Sequence, residues 1–106
     1  MIKEINVATL QQWLNENKDF QLIDVREPYE YEIANIGGEL IPMNEIMMNI
    51  DKISRDKPVV IHCRSGKRSA AVIDSLERLE DFTNLYNLSG GILAYAKEID
   101  PSLETY

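Results

Sequence analysis

A run of three β-branched residues that ends one residue short of the chain's only cysteine constrains this sequence more than any other stretch. Val59-Val60-Ile61 follows a Lys57-Pro58 turn signal. A short apolar run without alternation suits a strand buried on both faces, as in a parallel sheet. His62 and Cys63 close the run, Gly66 lies in the loop that follows, and Ser69 opens a helix-like segment, SAAVIDSLERL. Cys63 is thereby expected at the carboxyl end of a strand and just ahead of a helix N-terminus. In open α/β sheets that is where ligands bind.

Such a position favours an anion. A tight loop leading into a helix turns several backbone N–H groups toward one point, and the helix dipole adds positive potential. Arg64, Lys67 and Arg68 bring cationic side chains into the same loop. A thiolate held there should be stabilised, its pKa lowered from about 8.5 into the range of roughly 3.5–7.5. Each unit of lowering requires about 1.4 kcal/mol, within reach of a helix terminus and nearby cations. The sequence therefore marks Cys63 as a reactive thiol and not as a small buried hydrophobe. His62 is not its base, because adjacent strand residues point to opposite faces. A packing or hydrogen-bonding role is expected for the imidazole.

The rest of the chain alternates strands with helices. Ile2 to Val7 reads as a first strand, and Thr9 with Gln12 as a capping box for a helix whose Leu10, Trp13 and Leu14 face the core. Phe20 to Val25 is the second strand. Pro28 starts a short helix with Tyr29, Tyr31 and Ile33 as apolar surface, and Glu27, Glu30 and Glu32 read as a solvated acidic face. Glu39 to Ile41 gives a third strand. Asn44 to Ile53 reads as a helix with Ile46, Met47, Ile50 and Ile53 on its inner stripe, the methionines serving as core filler. Past the loop, Val72, Ile73, Leu76 and Leu79 are the buried side of a helix. Asn84 to Leu88 is the last strand, and a final helix runs from Ile92 to Glu98. Counting the run at Val59, five strands alternating with helices point to a three-layer α/β domain with a central, mostly parallel sheet flanked by helices.

With 106 residues, one domain spanning 1–106 and one core are expected. A net charge of −7 argues against a general nucleic-acid binder, and no apolar run is long enough to cross a membrane. One cysteine excludes an internal disulfide framework and fits a reducing compartment, so a cytoplasmic monomer is expected. The N-terminal stretch lacks an apolar segment resembling a signal peptide.

The loop CRSGKRS resembles the active-site loop of the rhodanese family of sulfurtransferases. DVREPYEYEIANIGG at Asp24 to Gly38 and LSGGILAYAKEI at Leu88 to Ile99 extend the likeness, all in the family's order and spacing, over nearly the whole chain. The closing segment, GGILAYAKEIDPSLETY, is particularly similar to the rhodanese domain that ends some ubiquitin-activating-enzyme-like adenylyltransferases. The resemblance implies a rhodanese-like fold and transfer of sulfane sulfur through a persulfide on Cys63, with no metal and no cofactor. The donor is thiosulfate or a similar small molecule; the acceptor is a thiophile such as cyanide, a thiol or a partner protein. Arg64, Ser65, Gly66, Lys67, Arg68 and Ser69 become the substrate-binding loop. Asp24 and Arg26, in the family's DVR motif, become support: Asp24 fixing the loop backbone, Arg26 lying near the site's rim. Where the family often carries a histidine, this chain has Asn35.

Two other readings compete with sulfur transfer. Phosphatases and arsenate reductases wrap an oxyanion in a His-Cys-x5-Arg loop, and dual-specificity cell-cycle phosphatases share the rhodanese fold. Here only four residues separate Cys63 from Arg68, which makes a smaller cradle, better matched to a persulfide sulfur than to a phosphate. Non-catalytic rhodanese-like modules that only bind a partner typically lack the loop cysteine, which this chain keeps.

Overall fold

A computed structural model of the chain describes residues 2–106. Short strands alternate with helices: β1 (Glu4–Ile5), α1 (Val7–Asn15), β2 (Gln21–Asp24), α2 (Pro28–Ile33), β3 (Glu39–Leu40), β4 (Val59–His62), α3 (Lys67–Glu80), β5 (Leu85–Leu88) and α4 (Gly91–Glu98), with two 3₁₀ turns, Met43–Met48 and Ile50–Lys52, ahead of β4. The sheet has five strands in the order β1-β5-β4-β2-β3, and every pairing is parallel. β4 lies at its centre, and all four of its residues are buried. That is the burial its unbroken apolar run requires.

Helices cover both faces, so two cores form. On one side Val59, Ile61 and Cys63 join Ile23, Val25 and the α3 residues Val72, Ile73 and Leu76. On the other, Val60 packs with Leu88, Val7 and Leu10, flanked by Trp13, Ala94 and Tyr95. The period-2 alternation of β4 thus sends Cys63 and His62 to opposite layers. The chain forms a three-layer α/β sandwich.

Several local expectations are corrected. The cap of α1 is Asn6, whose Oδ1 accepts the Thr9 N–H at 2.8 Å; β1 stops at Ile5 because Val7 is needed on the helix to fill the core. Asn44 to Ile53 is no α-helix. Asn49 Nδ2 donates back to the Glu45 carbonyl at 2.8 Å, competing with helical pairing, and the segment breaks into the two 3₁₀ turns. At three residues per turn Ile46 and Ile53 stay inside, while Met43, Met47 and Met48 are exposed and fill no core. Leu79 is also exposed, since α3, at 14 residues about 21 Å long, outruns the four-residue strands of about 13 Å beneath it.

Candidate active site

β4 delivers Cys63 to the carboxyl edge of the sheet, and Gly66, at φ 105°, turns the chain straight into α3. Only glycine holds that conformation without strain. The turn aims donors at the sulfur: the Gly66 N–H reaches Sγ at 3.1 Å and the Ser69 N–H at 3.4 Å. Ser69 Oγ lies 3.3 Å from Sγ. Burial pushes the Cys63 thiol pKa up. Hydrogen bonds from the Ser69 hydroxyl and from the Ser69, Gly66 and Ser65 N–H groups pull it down further, so it falls below its ordinary value.

Two elements outside the loop hold this cradle open. At the start of α4 the Ile92 N–H donates to the Cys63 carbonyl at 3.0 Å and the Leu93 N–H to the Arg64 carbonyl at 3.2 Å. A Cβ on Gly91 would lie 2.6 Å from the Cys63 carbonyl oxygen and 2.5 Å from that of Arg64, so only glycine allows the approach. With the loop's carbonyls turned to α4, its amides are free for the sulfur. From β5, buried Asn87 accepts the Ser69 hydroxyl on Oδ1 at 2.6 Å and donates from Nδ2 to the Gly66 carbonyl at 3.1 Å. Ser69 has one hydroxyl proton, so the sulfur gains it only when Asn87 loses it.

The charged residues divide into engaged and unengaged. Arg68, in the first turn of α3, makes a two-pronged bond to Glu30, Nη1 to Oε2 at 2.8 Å and Nη2 to Oε1 at 2.9 Å. That bond is the main reason the Glu30 carboxyl sits at about 2, against burial that pushes it up. Glu30 is therefore buried at the centre of a network and is not part of a solvated face. Tyr106 donates to its Oε1 at 2.8 Å and accepts from Arg26 Nη1 at 2.9 Å. Lys67 is exposed, and Arg64 is half-buried with its guanidinium 5.0 Å from the Tyr106 ring centre.

Just after β2, the Arg26 N–H donates to Asp24 Oδ1 at 3.0 Å. Arg26 itself is fully buried and away from any rim. Its five N–H groups go to the Asp24 carboxylate, the Glu30 and Ala34 carbonyls and the Tyr106 hydroxyl, which leaves none for a ligand. His62 lies on the same side, fully buried with Nε2 3.7 Å from Asp24 Oδ2, and neither ring nitrogen is hydrogen-bonded. Its role is packing.

Sequence reasoning missed Glu30, Asn87, Gly91 and Tyr106. Only Glu30 carried a local signal. It stands three residues after Glu27 at the start of a helix with Pro28 in its first turn, a capping spacing, and its Oε2 accepts the Glu27 N–H at 2.8 Å.

A buried cysteine cradled by amides at the carboxyl edge of a parallel sheet can be compared with known proteins. The sequence model of the Rhodanese-like domain matches residues 6–98. The chain belongs to the rhodanese-like family. This rhodanese-like domain is 37% identical to a sulfurtransferase of Allochromatium vinosum, over 92% of its own length and 91% of the relative's. It is 35% identical to the probable adenylyltransferase/sulfurtransferase MoeZ of Mycobacterium tuberculosis, covering 96% of itself but only 26% of that longer protein. Among solved structures, a rhodanese-like domain protein from Staphylococcus aureus superposes with a TM-score of 0.83 at 32% identity, over 99% of both chains. Membership and these relatives support sulfurtransferase activity in general. Among the described residues, no helix is long and apolar enough to cross a membrane.

Proposed function

We propose that this chain is a thiosulfate-type sulfurtransferase that carries sulfane sulfur as a Cys63 persulfide. The observation that carries the reading is the pair of N–H donors at 3.1 and 3.4 Å from Sγ, which hold negative charge on sulfur without a base. The Cys63 thiolate attacks the outer sulfur of thiosulfate or a similar donor. A new S–S bond forms, the donor's S–S bond breaks, and sulfite departs with the electron pair. The amides of Ser65, Gly66 and Ser69 then serve the persulfide as they served the thiolate. A thiophilic acceptor (cyanide, a thiol or a partner protein) attacks the terminal sulfur and restores the thiolate. Arg64 and Lys67 supply positive potential for an anionic donor, and Arg68 adds to the field while one N–H of each Nη stays on Glu30. Asp24 and Arg26 act by holding the loop after β2. With one cysteine in the chain, no internal thiol resolves the persulfide, so the loaded protein waits for an external acceptor. The setting we envisage is a cytoplasmic monomer in a reducing compartment.

The test is to incubate the protein with thiosulfate, remove excess donor anaerobically, and record intact mass. A gain of one sulfur atom should persist without acceptor and vanish on adding cyanide, with thiocyanate formed in equal amount. No mass gain, or a gain that Cys63→Ser also shows, would overturn the assignment.

A further inference from the structure

Among the loop's arginines only one has an unspent guanidinium. Arg68 commits both Nη groups to Glu30, whereas no oxygen of the described residues accepts from Arg64, whose Nε is buried without a partner. What holds Arg64 is a ring. Its guanidinium carbon lies 5.0 Å from the centre of the Tyr106 ring, within cation–π range. Tyr106 is itself fastened at its far end, donating to Glu30 Oε1 at 2.8 Å and accepting from Arg26 Nη1 at 2.9 Å. The platform is thus tied to the buried Asp24–Arg26 pair and to the carboxylate that anchors α3.

We infer that Tyr106 is a positioning residue for Arg64, whose free N–H groups, one residue along the loop from Cys63, are the recognition element for the oxyanion part of the sulfur-carrying substrate. This rests on Cys63 being the reactive thiol and deepens the function proposed above by naming what binds the donor's charged end. A planar guanidinium with unused N–H groups matches a sulfonate or a carboxylate, the groups carried by thiosulfate and by persulfides of small acidic thiols. An arginine free in solvent would have to be ordered each time a donor bound; one already stacked on a fixed ring does not.

The experiment reads the field at Cys63 without requiring sulfur transfer. Alkylation of Cys63 by anionic iodoacetate and by neutral iodoacetamide is compared at one pH and low salt. The ratio of the two rates reports attraction of an anion and cancels changes in thiolate fraction. Arg64→Gln should lower the ratio roughly two- to fivefold, Tyr106→Leu should lower it nearly as much, and the double variant no further than Arg64→Gln alone. Tyr106→Phe, which keeps the ring, should restore most of the ratio. In turnover with thiosulfate or with an acidic-thiol persulfide, the Tyr106→Leu defect should appear in KM and leave kcat close to that of the parent. A preserved ratio in Tyr106→Leu or Arg64→Gln, additive effects in the double variant, or equal losses in the Leu and Phe variants would each overturn the inference. Should Tyr106→Leu fail to fold, Arg64→Lys decides. Lysine keeps the charge but not the planar stack, so its ratio should fall, and an undiminished ratio would refute the role of the ring.

Discussion

His62 and Cys63 are neighbours on one strand, both buried and both titratable, yet the protein treats them in opposite ways. On the α3 side, Cys63 meets N–H donors from Gly66 and Ser69, so its charged form is favoured despite burial. On the other side, His62 finds no hydrogen-bond partner. Burial drives its pKa down to about 4, the pull of Asp24 being too weak at 3.7 Å and opposed by Arg26. Burial alone therefore does not decide ionisation in this domain; the supply of backbone donors does. The carboxyl edge of β4 supplies them because Gly66 lets the chain turn under the sulfur. The opposite layer offers only side chains already committed to one another.

The largest effect should come from removing the favoured side. Cys63→Ser should lower thiosulfate:cyanide activity by about 10³-fold or more, with melting temperature nearly unchanged, as steady-state assays and calorimetry would show. Next comes the layer of His62. Arg26→Ala leaves Asp24 buried without its cation and should cost about 3–5 kcal/mol in urea unfolding. A loss below about 1 kcal/mol would mean that the pair contributes little beyond packing.

The contrast also explains what could be read in advance. β4, Cys63 and the glycine turn were legible because their signals are local: a β-branched run, one glycine, a helix pattern. The all-parallel five-stranded sheet follows from strands alternating with helices. The supports of the site were not legible, because each joins distant parts of the chain. Glu30 and Arg68 are 38 residues apart, Arg26 and Tyr106 are 80 apart, and Asn87 is 18 from Ser69. Glu30 sits in a run of glutamates that reads as surface, and its partners, Arg68 and Tyr106, are 38 and 76 residues away. The methionines at 43, 47 and 48 misled for another reason, since the apolar pattern was read at helical period where the backbone adopts a three-residue turn.

The third prediction tests the His62 side through pH. Its native pKa of about 4 lies below the ordinary 6.5, so the unfolded chain takes up a proton that the native state refuses. Stability from the neutral imidazole is complete above pH 6.5 and is lost as pH falls toward 4, by roughly 3 kcal/mol over the window. Glu30, held near 2 by Arg68, adds a separate loss only below its ordinary 4.5. Urea titrations from pH 7 to 4.5 should show the slope in the native sequence. In His62→Leu the slope should largely disappear, and an equal slope there would assign it to other groups.

The smallest effect concerns the proton shared beside the sulfur. Ser69 Oγ stands 3.3 Å from Sγ and 2.6 Å from Asn87 Oδ1, and its single hydrogen cannot serve both. While Cys63 is a thiol, the S–H can donate to Oγ and the hydroxyl can stay on Asn87. When the thiol ionises, a charged acceptor appears on the near side and competes for that hydrogen, charge-assisted bonds being the stronger kind. Ser69→Ala should then raise the thiol pKa by about one unit, within what a hydrogen bond to a charged group contributes. The pH dependence of iodoacetamide alkylation measures it directly. The decisive comparison is a cycle with Asn87→Ala, where the hydroxyl has no rival for its proton. In that background removing the hydroxyl should raise the pKa by more than it does in the native sequence. Equal shifts in the two backgrounds would show that Asn87 only braces the Gly66 carbonyl and leaves the sulfur's proton supply alone.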